Sequence, residues 1–187
     1  MREMLENGKG PVLGAPAPFF EADKKDGKIT IDDFKGNWVI LFSHPDDLLT
    51  VFKTRTINYI LCKRRIKAVA VGRRYSPDAT LPGNFIRKYI VNHILTIIDD
   101  VDGQIAVRYG LDSSGNCASE KGVFVIDPSG NLRMKLFFPL TNERDFTEIL
   151  KLVDALQVAD KQNRQKSQPA RAKKTFKGKI GLSDQAG

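Results

Sequence analysis

Two thiols, two imidazoles and several paired acids are the residues of this chain best suited to chemistry. Cys62 lies in LCKRR and Cys117 in the loop DSSGNCASEKG. A thiolate is a nucleophile and a nearby cation favours it, so Cys117, close to Lys121, is a candidate reactive thiol or mixed-disulfide partner. Nothing in the flanking sequence orients it, and the plainer reading of both cysteines is an ordinary reduced thiol, with Cys62 a small apolar residue on a helix flank. His44 precedes a proline and reads as loop packing or a hydrogen bond rather than a base, while His93 stands alone at a predicted helix end. Asp46, Asp47, Asp99, Asp100 and Asp102 read as solvated turn acids. With no His or Cys to complete a ligand set, no metal and no cofactor are expected. There is neither a Gly-rich phosphate loop nor a nucleophile elbow.

The element that would position any chemistry is residues 38–55, WVILFSHPDDLLTVFKTR. Its first five residues form an apolar run without period-2 alternation, the pattern of a strand buried on both faces, and Pro45 ends the pairing. The residues after it fall at the carboxyl end of a central strand, where open α/β sheets place their ligands. Before that strand, residues 25–28, KDGK, predict a β-hairpin turn behind an extended, proline-rich start. After it, Ile57, Ile60, Leu61 and Arg64 keep helical spacing and Lys63, Arg64 and Arg65 suit the helix end. A second apolar run at 66–71 completes a strand-helix-strand unit with parallel strands and a right-handed crossover. Residues 94–98 read as another short strand and residues 104–109 as a short helix. The turn DPSG at 127–130 joins VFVI to NLRMKLFF as a hairpin. Last, Phe146, Ile149, Leu150, Val153 and Leu156 form a helical stripe behind an N-cap at Thr141 or Asn142. The expected fold class is α/β: a thioredoxin-like mixed sheet flanked by helices.

At 187 residues and 41% hydrophobic, the chain has enough apolar material for one core. No window approaches the ~18 apolar residues of a membrane span, and the first residues hold no signal-peptide core, so a soluble cytoplasmic protein is expected. The net charge of +8 is unevenly divided. Residues 161–187 hold eight basic side chains and one acid, leaving +1 for residues 1–160. The expected organisation is a lead over 1–10, a domain over 11–160, and a flexible basic tail over 161–187. A neutral domain with a basic tail does not read as a nucleic-acid-binding fold.

The segments GAPAPFFEAD, FSHPDD, IIDDVDGQIAVRYGL, KGVFVIDPSGNLRMKLFFPL and NERDFTEILKLVDALQ, in this order, resemble the peroxiredoxin (AhpC/TSA) family and its one-cysteine branch in particular. The resemblance covers residues 11–160. It implies the reduction of hydroperoxides by a cysteine in the pattern Pro-x-x-x-Thr-x-x-Cys, with an arginine from a later strand. In such a site the thiolate attacks the O–O bond while the hydroxyl and guanidinium orient the peroxide and stabilise the leaving oxygen. Laid on this chain, Pro45 matches the proline, Leu49 stands at the threonine, Phe52 at the peroxidatic cysteine, and Lys121 at the arginine. Arg55 stands where the family often has an acid. Phenylalanine has no nucleophilic atom, leucine no donor, and lysine lacks the planar fork of arginine. Cys62 is a poor substitute, since ten residues of continuous helix would carry it about 15 Å past Phe52.

The functional expectation is therefore a catalytically inactive relative that binds, as a subunit of a larger assembly. The alternative is residual thiol peroxidase or thiol-disulfide activity through Cys117 or Cys62. In the tail, Lys173, Lys174, Lys177 and Lys179 surround Phe176 and Ile180, a pattern suited to folding on a partner. The expected partner is a protein with an acidic surface. Nucleic acid and an anionic membrane are the competing polyanions. The arm with which the one-cysteine branch builds its dimer is replaced here by the tail, so a homodimer is left open.

Overall fold

The computed structural model describes residues 10–24, 27–43, 60–72, 95–111, 120–139 and 146–167. A two-stranded hairpin, β1 (Glu21–Lys24) and β2 (Gly27–Thr30), precedes a five-stranded sheet. The sheet is built from β3 (Trp38–Phe42), β4 (Ile66–Gly72), β5 (Leu95–Asp99), β6 (Glu120–Ile126) and β7 (Leu132–Pro139). Two α-helices are described in full, α1 (Gln104–Arg108) and α2 (Phe146–Ser167), and residues 60–63 are also helical.

Strand order is β5-β4-β3-β6-β7, with β3 parallel to β4 and antiparallel to β6. This is the expected mixed sheet with β3 at its centre. All five residues of β3 are buried, which accounts for the lack of alternation in the sequence. Trp38, Ile40 and Phe42 face a core completed by Leu61 and by Phe146, Ile149, Leu150 and Val153 of α2. Val39 and Leu41 face the opposite layer, where Phe20, Ile31, Phe34, Ile105 and Tyr109 pack. Each large apolar side chain so buried contributes about 1.5–3 kcal/mol, which makes β3 the strand whose removal would cost most.

The turn chemistry behaves as read from sequence. Asp127 Oδ1 accepts the amides of Ser129 and Asn131 at 2.9 and 3.0 Å, and Gly130 N–H donates to Asp127 O at 2.9 Å. The guanidinium of Arg133, on β7, reaches Asp127 at 3.3 Å and Asp160 of α2 at 2.9 Å, and lies 5.8 Å from the centroid of Trp38. The hydrogen bond to Asp160, above all, holds the Arg133 pKa above its ordinary value.

Two expectations need correction. Asp100 is not a solvated turn acid: it is buried, and its carboxylate accepts the amides of Ile105 and Ala106 at 3.1 and 2.9 Å, so it holds the start of α1. Asp99 and Asp102 are exposed as expected. In addition, α2 continues through Ser167, so Lys161, Arg164 and Lys166, counted with the tail from composition, are helical. The Arg133–Asp160 contact anchors the helix at that point, and basic residues in a last turn suit the helix dipole. The Thr141 or Asn142 cap falls outside the described residues. No helix among the described residues is long and apolar enough to cross a membrane.

Candidate functional site

The carboxyl end of β3 is tied to the amino end of β6. Phe42 pairs with Val123 in register, and just beyond them Ser43 N–H donates to Gly122 O at 3.0 Å while Gly122 N–H donates to Ser43 Oγ at 2.8 Å. These reciprocal bonds fix the position of Ser43 at the end of the strand. The ring of Phe42 lies 5.7 Å from that of Phe146, so the first turn of α2 packs behind the same strand end. Lys121, beside Gly122 on β6, is half-buried here. A Cβ built on Gly122 would lie 2.4 Å from Leu111 Cδ2, so this position carries a side chain only if Leu111 moves. Neither Ser43 nor Gly122 was singled out from the sequence, because their pairing depends on a non-local strand register.

Lys121 thus reaches the strand end where the sequence placed the site. It offers a single cation, without the fork that makes two parallel hydrogen bonds. Pro45, Leu49, Phe52 and Cys117 lie outside the described residues, as do His44, His93, Arg55 and the tail residues Lys173, Lys174, Phe176, Lys177, Lys179 and Ile180.

Cys62 belongs to a different place. It is exposed, and its carbonyl accepts the amide of Arg65 at 3.2 Å in the turn that leads into β4. That strand starts beside Trp38, at the opposite end of β3 from Ser43. A five-residue strand is about 15 Å long, so Cys62 is not positioned to act with Lys121. Among the described residues, no group of three His, Cys, Asp or Glu side chains is placed to hold a metal ion.

Comparison with known proteins agrees with this architecture. The AhpC/TSA family model matches residues 13–135. A peroxiredoxin of Aquifex aeolicus is 37% identical over 162 residues, a match covering 81% of this chain and 72% of that protein. Peroxiredoxin-6 of Gallus gallus is 34% identical over 166 residues, covering 80% and 74%. Among solved structures, the yeast mitochondrial 1-Cys peroxiredoxin superposes with a TM-score of 0.65 at 26% identity, covering 81% of this chain and 78% of that one. A mutant of peroxiredoxin 6 from Arenicola marina does so with a TM-score of 0.63 at 27% identity, covering 81% and 76%. With a thioredoxin-like sheet, the ordered segments and these relatives in agreement, the chain belongs to the AhpC/TSA family of peroxiredoxins.

Proposed function

We propose that this chain is a peroxiredoxin-family protein that binds rather than reduces hydroperoxides, acting as a subunit of a larger assembly with the basic residues that follow α2 as a docking arm for an acidic protein surface. The observation that carries the reading is Phe52, which stands in the family's pattern where the nucleophilic cysteine belongs. No protonation state or movement gives phenylalanine a thiolate, and thiolate attack is the step that breaks the O–O bond. Leu49 and Lys121 support it, since the hydroxyl and the forked cation that would orient a peroxide are also missing from their places. The strand, the Ser43–Gly122 hydrogen bonds and the Phe42–Phe146 packing form an ordered frame, which a protein acting through its surfaces requires.

The test is hydroperoxide consumption with dithiothreitol as reductant, on the wild type beside Cys62→Ser and Cys117→Ser. The expected result is no turnover above the thiol background in any of the three. Turnover by the wild type that disappears in either variant would overturn the reading in favour of a relocated thiol. Copurification with the full chain and with a chain whose tail lysines are neutralised then identifies what the arm holds.

A further inference from the structure

The end of β3 opposite the family site opens into a cleft of about 760 Å³. Lys63, at the end of the helical segment 60–63, and Arg64 and Arg65, in the turn before β4, line it from one side, and Lys161 and Arg164 line it from α2. Five cations therefore meet in one cleft, three from residues 1–160, whose net charge is only +1, and two from the basic stretch that begins at Lys161. Asp160, the acid in the lining, is already held by Arg133 at 2.9 Å. The sides of the cleft are fixed in advance, because Arg64 pairs with Asp154 of α2 and Gln157 Nε2 donates to Arg64 O at 3.3 Å.

Arg65 marks the cleft a second time. Among the described residues it is the one non-glycine residue with a positive φ, 54°, at the end of a helical segment where glycine or asparagine is favoured. Its backbone duties, an N–H donating to Cys62 O at 3.2 Å and a carbonyl accepting Trp38 N–H at 3.0 Å, need no side chain at all. The arginine side chain is exposed and lines the cleft. A residue that bears backbone strain without a side-chain role in the turn points to a function of that side chain.

We propose that this cleft docks an acidic peptide segment of a protein partner, with Arg65 and Lys161 receiving its carboxylates; this deepens the binding reading above and rests on it. Arginine forks match carboxylates, and Ile60 and Pro128, also in the lining, give apolar contact to a side chain lying between two acids. Nucleic acid is the poorer fit. Among the described residues of the lining the one aromatic is Trp38, which is 7% exposed and offers no face on which a base could stack.

The probe is a fluorescein-labelled peptide of alternating Glu and Leu, titrated with the full chain by fluorescence anisotropy at physiological salt. Two variants are compared: Arg65→Asn with Lys161→Gln in the cleft, and Lys173→Gln, Lys174→Gln, Lys177→Gln and Lys179→Gln in the tail. Asparagine tolerates the backbone at 65, so the thermal midpoint of the cleft variant is expected to be no lower than that of the wild type. The cleft variant is expected to weaken binding about tenfold and the tail variant less than about threefold. Unchanged affinity in the cleft variant, an equal loss in the tail variant, no binding by the wild type, or tighter binding of oligo-dT than of the peptide would each overturn the proposal. Because the titration does not measure turnover, a peroxidase activity would refute the inactive-subunit reading without altering this result.

Discussion

The two ends of β3 differ in what they present. At the carboxyl end, the described residues Ser43, Gly122 and Lys121 present one cation and a reciprocal pair of hydrogen bonds between the strands. At the amino end, five cations gather around Trp38 with their supports already paired. One buried strand carries both, so the fold's stability is indifferent to which end does the work. The contrast teaches that one buried strand of a peroxiredoxin scaffold can frame two chemically different surfaces, one at each end.

The largest expected effect breaks both ends together. Ile40→Ala, at the fully buried centre of β3, should lower stability by about 3 kcal/mol, read as a shifted denaturant midpoint at unchanged slope. An effect below 1 kcal/mol would mean that the strand is not the shared support. Next, Arg133→Ala should loosen the amino end alone. It frees Asp127 and Asp160 and removes the cation over Trp38, for a loss of about 2 kcal/mol by chemical denaturation, with Arg133→Lys recovering part of it. The carboxyl end has a smaller handle. Ser43→Ala leaves Gly122 N–H without its acceptor and should cost about 1 kcal/mol, with faster amide hydrogen exchange at Gly122 and no change in peptide binding at the cleft.

The smallest effect shows itself mainly at alkaline pH. Burial pushes the Tyr109 phenol above its ordinary 10.0, and its hydroxyl donates to Pro18 O at 3.1 Å. A group whose pKa is raised on folding holds its full contribution below the unfolded value and loses it as pH climbs toward the folded one. Wild-type stability should therefore fall above about pH 10, and Tyr109→Phe should fall less steeply over that range while sitting slightly lower at pH 7. Parallel alkaline profiles for the two proteins would contradict this assignment.

Much of the fold was legible because its signals are local. An unbroken apolar run identified β3, Asp127 to Gly130 fixed the β6–β7 turn, and the stripe from Phe146 to Val153 located α2. Non-local features were hidden. The cleft joins Lys63, Arg64 and Arg65 to Lys161 and Arg164 from a distant part of the chain, and no composition window contains all five. Arg65 gave no sign of its left-handed backbone, because the usual signal there is glycine or asparagine. Asp100 was misread because burial of a capping acid depends on what packs over it, not on its neighbours in sequence. Lys121 lies on β6 beside the carboxyl end of β3, while Pro45, Leu49 and Phe52 are known from the sequence pattern alone.

The most direct measurement restores what the pattern lacks. Hydroperoxide consumption should be compared between the wild type and a chain carrying Leu49→Thr, Phe52→Cys and Lys121→Arg, with Phe52→Cys alone beside them. The account predicts no turnover by the wild type, little by the single variant because a thiol without its hydroxyl and fork is poorly activated, and clear turnover by the triple variant. Wild-type turnover equal to that of the triple variant would contradict it.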